Sequence, residues 1–251
     1  SNNVVLPKVA IDYRFNPNVL IYGSIARGYK NGGFSSLPNT PDAAAFDPER
    51  SWTYEIGTKT NWLDDRLLAN LAFFYTRVRD YQAIDFVPPN ISSITNAESA
   101  NLWGFEVEVK AQPATGFNLN AGFGYTNARY DRYTNAVGVN FNGNRLSNTP
   151  EFTYNLGAQY RSPNGFFSRV ELQGFGTTFF EETNRAKQKP FGLVNARIGY
   201  EFDNFGIYLF GNNLFDKTYF TSSFKSNFAG ERFFGSVGEG RTIGVQVTTQ
   251  F

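Results

Sequence analysis

Residues 103–126 read WGFEVEVKAQPATGFNLNAGFGYT and contain two alternating segments joined by one short turn. From Trp103 to Ala111 every second residue is apolar, and glycine or charged residues occupy the positions between them. The same alternation runs from Phe117 to Tyr125, after a PATG tetrapeptide whose proline and glycine favour a tight turn. A period of two is typical of a β-strand with one apolar face and one polar face. The stretch therefore predicts a long β-hairpin.

The same period recurs along the chain and predicts an all-β protein of about eleven strands. The predicted strands span 3–15, 18–30, 49–61, 66–84, 94–112, 117–130, 149–161, 166–181, 190–202, 205–215 and 239–251. Ordinary strands run about 5–6 residues, whereas a tilted strand that crosses a bilayer needs roughly 9–11. The length of these segments therefore favours strands that cross a membrane.

The connections between these strands alternate in length. Short turns rich in Pro, Gly, Asn and Asp are predicted at 16–18, 63–66, 113–116, 162–165 and 203–204. Longer loops are predicted at 31–48, 85–93, 131–148, 182–189 and 216–238. Short turns on one rim and long loops on the other are typical of an antiparallel bacterial outer-membrane β-barrel. We expect the short turns and the carboxy-terminus to be periplasmic and the long loops to be extracellular.

The composition excludes several classes of protein. Cys and His are both absent, which removes thiolate nucleophiles, disulfides, and the commonest general base and metal ligand. We therefore expect no catalytic residue, no metal site and no enzyme. The net charge of +1 gives no support for nucleic-acid binding, which needs a basic excess. Met is absent too, so we expect the chain to begin inside a longer precursor, and no apolar run approaches the roughly 18 residues of a transmembrane helix.

A large soluble all-β protein, such as a solenoid or a propeller, is the alternative to a membrane barrel. The sequence has no fixed repeat of the kind that those architectures require. Aromatic residues make up 18% of the chain and recur near the predicted short-turn rim. The positions in question are Phe117, Tyr160, Tyr200, Phe202 and Phe251. They suit an aromatic girdle at a membrane interface, which favours the barrel.

Seven stretches in a fixed order carry a family resemblance. They are Tyr22–Phe34, Pro48-Glu49 with Tyr54–Lys59, Leu71–Tyr75, Asn96–Glu98 with Gly104–Glu106, Leu146–Pro150, Asn213–Tyr219, and Arg241–Gly244 running to Phe251. Together they resemble the carboxy-terminal half of the barrel of TonB-dependent outer-membrane receptors, specifically the siderophore-receptor group. The resemblance covers essentially the whole chain.

The resemblance implies a transmembrane barrel of about 22 strands, filled by an amino-terminal plug. Residues 1–251 would be a single incomplete domain that supplies strands 12 to 22, and the plug would lie outside this chain. The implied partners are the TonB energy-transducing complex, reached through the plug, the remaining amino-terminal strands, lipid and lipopolysaccharide, and a small-molecule ligand. Terminal Phe251 resembles the aromatic end that the barrel-assembly machinery recognises. Its alternative role is one more lipid-facing girdle residue.

The alternation also assigns side chains to the two faces of the barrel wall. We expect the following side chains to face lipid: Trp103, Phe105, Val107, Phe117, Leu119, Phe123, Ile243 and Val245. We expect these charges to face the lumen: Lys8, Asp12, Arg14, Glu55, Lys59, Glu106, Glu108, Lys110, Arg169, Glu171, Arg197 and Glu201. Such charges could hold a plug or guide a substrate, but an ion-paired inner wall is the favoured interpretation.

The loop 216–238 and the loop 31–48 supply the candidate substrate-binding residues. These are Phe34, Tyr219, Phe224, Lys225, Arg232 and Phe233. Aromatic rings beside cations could bind a flat, anionic ferric chelate by stacking and by charge-assisted contacts. The alternative is that the same rings pack loop against loop. No cofactor is expected, since the ferric chelate would be cargo.

The predicted function is TonB-dependent uptake of a ferric siderophore or a similar scarce nutrient. The alternatives are a passive porin-like diffusion channel, an outer-membrane enzyme, and a structural or adhesive barrel. We also expect the barrel to be incomplete in this chain. Eleven strands closed on themselves would make the first and last strands parallel neighbours, whereas bacterial single-chain barrels are antiparallel and even-numbered. The strands 3–15 and 239–251 are therefore expected to pair with strands outside this sequence.

Overall fold

The structure is a computed structural model, and it describes residues 4–35, 45–87, 91–135, 138–226 and 232–249. Eleven strands form one sheet: β1 (Lys8–Asn16), β2 (Val19–Lys30), β5 (Glu49–Trp62), β6 (Leu67–Val87), β7 (Ile91–Ala111), β8 (Phe117–Arg132), β9 (Phe152–Arg161), β10 (Phe166–Phe175), β13 (Phe191–Phe202), β14 (Phe205–Asn212) and β17 (Thr242–Thr249). Three small hairpins complete the fold: β3 (Gly33–Phe34) with β4 (Ala45–Phe46), β11 (Thr178–Phe179) with β12 (Lys187–Gln188), and β15 (Phe220–Ser226) with β16 (Arg232–Val237). Within the described ranges, no helix is long and apolar enough to cross a membrane.

The eleven-stranded sheet follows the order of the chain, and every neighbouring pair is antiparallel. The predicted number of strands and the antiparallel barrel-type sheet are therefore confirmed. In the part of the chain that the structure describes, β1 and β17 form the two edges of the sheet and do not pair with each other. This open order agrees with the expectation that the chain does not close a barrel by itself.

The predicted loop 85–93 is wrong, because β6 and β7 continue through most of it. Their ladder runs without a break from Tyr81 opposite Ala97 to Val87 opposite Ile91. The residues near the tip include a polar run, Ser92-Ser93-Ile94-Thr95-Asn96, which hides the period of two that marks the membrane-crossing part. The predicted loops 31–48 and 216–238 each contain a short hairpin that the sequence did not predict. A third hairpin pairs Thr178–Phe179, at the end of the predicted strand 166–181, with Lys187–Gln188 in the predicted loop 182–189.

Register across the strands separates an apolar face from a polar face. One row joins Ile11, Gly23, Ile56, Phe73 and Phe105 across β1, β2, β5, β6 and β7. The adjacent row, on the opposite face, joins Asp12, Tyr22, Gly57, Ala72 and Glu106. All eight side chains that were expected to face lipid share the first face. All twelve charges that were expected to face the lumen share the second face.

Two aromatic belts border the apolar face. The belt beside the short turns contains Phe117 and Tyr160, with ring centroids 4.4 Å apart, and Tyr200 and Phe202, 5.2 Å apart. The belt on the long-loop side contains the pairs Tyr54–Tyr75 and Trp103–Tyr125. On β8 the two belts are eight residues apart, or about 27 Å along the strand at about 3.4 Å per residue. A tilted strand of that length fits the apolar band of an outer-membrane barrel, which is about 25 Å tall. Phe251 lies outside the described residues.

Candidate functional site

The polar face of the sheet is a concave wall that carries paired charges. Lys110 Nζ lies 2.6 Å from Glu108 Oε1, and Arg169 lies 2.5 Å from Glu171. Arg161 donates two hydrogen bonds to Glu201, at 2.7 and 3.0 Å, although strand β10 lies between their two strands. These contacts agree with the expectation of an ion-paired inner wall. A cavity of about 440 Å³ opens on this face between the charges. It is lined by Tyr22, Lys59, Glu106, Glu108 and Asn155, among others.

Large aromatic side chains also lie on the polar face, which the alternation did not predict. The Tyr208 hydroxyl donates to Glu201 Oε1 at 2.8 Å, and the Arg197 guanidinium lies 3.7 Å from the centre of the Tyr208 ring. The ring occupies the space beside Gly199, where a Cβ atom would meet Tyr208 Cδ1 at 2.5 Å. Glycine is therefore required at this strand position because a ring from the next strand covers the backbone.

The loop 31–48 is tied to the extension of β6 and β7 by hydrogen bonds of four polar residues, which we call the first rim anchor (Ser35, Asp47, Gln82 and Asn96). Gln82 Nε2 donates to the carbonyl oxygens of Asn31 and Asp47, at 2.8 and 3.2 Å. Asn96 Oδ1 accepts from the Asp47 amide at 2.7 Å, and Ser35 Oγ accepts from the Ile94 amide at 2.9 Å. These contacts join residues that are 35 to 59 positions apart in sequence. They hold the described ends of the loop against the wall.

A hydrophobic cluster fills the long-loop rim on the side of the polar face. It is formed by Val78, Ala83, Ala97, Ala100, Ala128, Tyr130, Tyr133, Phe141 and Leu146. The rings of Tyr81 and Tyr130 meet edge to face at 5.8 Å. Burial raises the pKa of both Tyr130 and Tyr81, so both phenols stay protonated at neutral pH. The loop 131–148 is thus folded over this rim as a packed core.

A second rim anchor joins the loop 131–148 to the β11–β12 hairpin; it consists of Arg145, Glu181 and Asn184. The Glu181 carboxylate accepts backbone hydrogen bonds from Thr183, Arg185 and Ala186 at 2.6 to 2.9 Å, and it also contacts the Thr183 hydroxyl. Asn184 Oδ1 accepts from the Arg145 amide at 2.7 Å, and Asn184 Nδ2 donates to the Arg145 carbonyl at 3.0 Å. Arg145 donates to the Thr126 carbonyl at 2.7 Å.

Unlike the two rim anchors, the β15–β16 hairpin is open to solvent: every residue of β16 is exposed. Lys225 and Phe233 are directly opposite each other in its ladder, and Arg232 is opposite Ser226. The ladder therefore contains four of the predicted site residues, Phe224, Lys225, Arg232 and Phe233. The side chains of Phe224 and Lys225 lie outside the described part. Tyr219 lies at the base of the hairpin, where its ring stacks on Phe191 at 4.6 Å. Its contact with Phe191 agrees with the packing alternative for this residue.

Phe34 lies on a different hairpin, β3–β4, and is 81% exposed. This hairpin follows β2, near one end of the sheet, whereas β15–β16 follows β14, near the other end. The described contacts do not bring Phe34 together with the other predicted site residues. Whether any of the six contacts a substrate stays a prediction. Among the described residues, no group of three or more His, Cys, Asp and Glu could hold a metal ion.

Sequence reasoning missed the polar residues that organise the rim. Gln82, Arg145 and Glu181 are at least nine-tenths buried, yet none of them belongs to a local motif that predicts burial. Asn213 is different, because it lies in the stretch Asn213–Tyr219 that carried the family resemblance. It is 4% exposed and donates to the carbonyl oxygens of Lys217 and Glu239, which closes the end of β14.

Comparisons with known proteins agree with this architecture. The family model described as "TonB dependent receptor-like, beta-barrel" matches residues 1–214. The chain is 27% identical, over its whole length, to the pesticin receptor of Yersinia pestis, of which it covers 37%. It is 28% identical, over 87% of its length, to the ferric-pyoverdine M114 receptor of Pseudomonas sp. (strain M114), of which it covers 27%.

A solved structure shows the same fold. The crystal structure of the ferric yersiniabactin uptake receptor from Yersinia pestis superposes with a TM-score of 0.82, at 23% sequence identity. The superposition covers 98% of this chain and 37% of that one. The chain thus spans roughly a third of the length of the relatives that it matches.

Proposed function

The chain belongs to the TonB-dependent receptor β-barrel family, whose members are outer-membrane β-barrels, and on that premise we propose that it takes part in energy-driven uptake of a ferric siderophore or a similar scarce nutrient. The observation that carries this proposal is the match, over 87 to 100% of this chain, to relatives that are named as receptors. One of these relatives is named for ferric pyoverdine, and another is named as a ferrichrome outer-membrane transporter.

The long-loop rim would face the exterior and the short turns and carboxy-terminus would face the periplasm. The exposed β15–β16 hairpin and the two anchored loops would then surround the entrance for the ligand. The concave polar wall would enclose a plug, and the TonB complex would act on that plug from the periplasmic side. The balanced charges of the wall suit a surface that packs against protein better than a strongly charge-selective pore.

The relatives are receptors and transporters, so a passive porin is not favoured, and none of those named above is an enzyme. A porin would also differ in a measurable way. The full-length protein should conduct ions weakly in a planar bilayer, because a plug blocks the lumen. Steady, porin-like conductance would contradict the proposal.

Uptake is tested directly in a deletion strain under iron limitation. We expect the strain to lose uptake of radioactive iron supplied as the chelate that supports growth of the parent strain. Restoring the gene should restore uptake only while TonB is present. If iron uptake and growth do not depend on the gene for any chelate that the parent strain uses, the siderophore assignment fails, and a structural or adhesive barrel becomes the better description.

A further inference from the structure

Among the described strands, β15 and β16 pair only with each other, so contacts at the base of this hairpin decide how it is oriented on the rim. We call Gln188, Phe191, Tyr219, Phe220 and Gly238 the hairpin base. The Gly238 amide donates to the Tyr219 carbonyl at 2.9 Å, which closes the hairpin on itself. Two further contacts of the base reach residues outside the hairpin.

The first of these two contacts is a stack of aromatic rings. The Tyr219 ring lies 4.6 Å from the Phe191 ring at an interplanar angle of 16°, and Phe191 stacks in turn on Phe175 at 5.1 Å. The Tyr219 ring also covers the backbone of Gly238, where a Cβ atom would collide with it. Burial of apolar rings is non-directional, so the stack fixes the distance of the hairpin from β13 better than its angle.

The second contact is a directional hydrogen bond. The Phe220 amide donates to Gln188 Oε1 at 2.8 Å, across 32 positions of sequence. Gln188 Nε2 donates to the Lys189 carbonyl at 2.6 Å, which fixes the plane of the side-chain amide. Gln188 is only 9% exposed. Both polar atoms of its side chain are thus engaged within the protein.

Gln188 itself belongs to a part of the rim that is firmly held. It lies opposite Thr178 in the β11–β12 ladder. This hairpin is tied to the loop 131–148 by the second rim anchor and by a bond from the Asn148 amide to the Phe179 carbonyl at 2.7 Å. The β11–β12 hairpin is therefore a strut that joins β15–β16 to the packed core of the rim.

A small rotation at the base is magnified at the far end of the hairpin. Phe220 and Lys225 are five positions apart on β15, or about 17 Å at about 3.4 Å per residue. A rotation of about 10° would move the far end by about 3 Å, whereas binding side chains need to be held within about 0.5 Å of their productive geometry. The bond that sets the angle of the base therefore controls the placement of the whole hairpin.

We propose that Gln188 is a positioning residue for cargo binding. Its bond to the Phe220 amide fixes the angle of β15–β16 and so places the strand positions of Lys225, Arg232 and Phe233, which are predicted substrate contacts, at the entrance. Gln188 acts through the hairpin and does not itself touch the cargo. This inference rests on the proposed function and deepens it, because it assigns part of the affinity to a buried residue outside the predicted site.

The orientation of the hairpin is tested without any ligand, in the full-length receptor with any Cys outside this chain replaced. Nitroxide labels are attached to Val139→Cys, in the loop 131–148, and to Ser236→Cys, on β16, since both positions are exposed. Pulsed electron resonance gives the distribution of distances between the labels. We expect Gln188→Leu to broaden it at least about twofold, because the hairpin loses its directional bond. Gln188→Glu keeps an acceptor for the Phe220 amide and should keep the distribution narrow.

Gln82→Leu is the matched control for this measurement. Gln82 is 8% exposed and also bonds to backbone carbonyls, but in the first rim anchor, so its loss should leave the distribution unchanged. Tyr219→Leu removes the stack on Phe191 and serves as a second variant of the hairpin base if Gln188→Leu does not migrate as a folded barrel on unheated gels. Equal widths in the wild type and in the folded base variants would overturn the proposal. Equal broadening by Gln82→Leu would overturn it too, since it indicates a general loosening of the rim.

Cargo affinity is measured separately, with radioactive ferric iron in culture supernatant of the iron-limited parent strain as the probe. We expect Gln188→Leu to raise the half-saturating iron concentration for uptake about fivefold, as the loss of one hydrogen bond would, with the maximal rate per receptor unchanged. Gln188→Glu should stay within about twofold of the wild type. Gln112→Leu, which removes a bond to Asn118 at the short-turn rim, should match the wild type.

The two measurements separate this inference from the proposed function. Absence of iron uptake by the wild type contradicts the proposed function and leaves the result on hairpin orientation standing. A broadened distance distribution together with an unchanged half-saturating concentration contradicts the positioning role alone.

Discussion

The Tyr208 hydroxyl donates a hydrogen bond to Glu201, 2.8 Å away on the neighbouring strand, and the Tyr208 ring covers the backbone of Gly199. Arg161 approaches the same carboxylate from the other side, across β10. This part of the polar wall is therefore a small packed core. The Tyr208 ring lies over Gly199, and its hydroxyl shares the Glu201 carboxylate with Arg161. Such a core fixes side chains that would otherwise be free to move in a wide lumen.

Gly199→Ala should disrupt this core. The added Cβ atom would lie 2.3 Å from the Ile207 carbonyl oxygen and 2.5 Å from Tyr208 Cδ1. Overpacking of this kind costs about 1–3 kcal/mol, so we expect the free energy of unfolding of the full-length barrel, measured with urea, to fall by that amount. The control is Gly124→Ala, where the nearest atom would be Thr153 Oγ1 at 3.4 Å. Equal unfolding midpoints for the two variants would contradict this account.

Val107→Arg should destabilise the barrel, because Val107 shares the apolar face with its ladder partners Leu71 and Phe123. An arginine that faces lipid near the middle of the membrane costs about 2–4 kcal/mol, which equilibrium unfolding in lipid vesicles can measure. Glu106→Gln, one residue away on the polar face, should change the free energy of unfolding by less than about 0.5 kcal/mol. The assignment of the two faces fails if Glu106→Gln proves the more damaging substitution.

Glu181→Ala should open the second rim anchor. Three backbone amides, those of Thr183, Arg185 and Ala186, lose this acceptor, and each buried amide left unsatisfied costs about 1–3 kcal/mol. We expect hydrogen exchange at the Ala186 amide to become at least about tenfold faster, with the barrel intact. Glu98→Ala, which breaks only the exposed ion pair with Arg132, should leave that exchange rate unchanged. No change in the Glu181→Ala variant would show that the carboxylate does not hold the hairpin.

Replacing Phe224, Lys225 and Arg232 together by Ala should weaken ligand binding without disturbing assembly, because they lie on a hairpin outside the main sheet. The measurement is the dissociation constant of the ferric chelate for cells that express the variant. A matched control replaces Phe215, Lys189 and Lys217, one ring and two cations that are exposed on the same rim. Unchanged affinity in the first variant would remove this hairpin from the binding site.

The membrane-crossing part of the fold could be predicted from the sequence because its rule is local. Alternation from Trp103 to Ala111 follows directly from a strand with lipid on one side and a polar lumen on the other. The same rule fails beyond the membrane, where Ser93 and Ser99 are buried and no lipid imposes a period. For that reason the alternation predicts a loop at 85–93, although residues 91–93 belong to β7.

The rim could not be predicted because its contacts join distant parts of the chain. Gln82 contacts Asn31 from 51 positions away, and Arg145 contacts Asn184 from 39 positions away. Nothing in the neighbourhood of either residue indicates the partner. The candidate substrate residues follow from loop composition alone, and composition cannot separate an exposed ring such as Phe233 from a packed ring such as Tyr219.

The β15–β16 hairpin is structurally independent of the main sheet. Its ladder closes on itself, and its base is fixed by the bond from the Gly238 amide to the Tyr219 carbonyl and by the bond from the Phe220 amide to Gln188 Oε1. The pairing of β14 with β17 does not involve the residues between these two points. Sequence and length can therefore diverge between Thr221 and Val237 while the wall stays the same. Under the proposed function, mutations confined to this hairpin could then change ligand specificity without compensating mutations in the barrel.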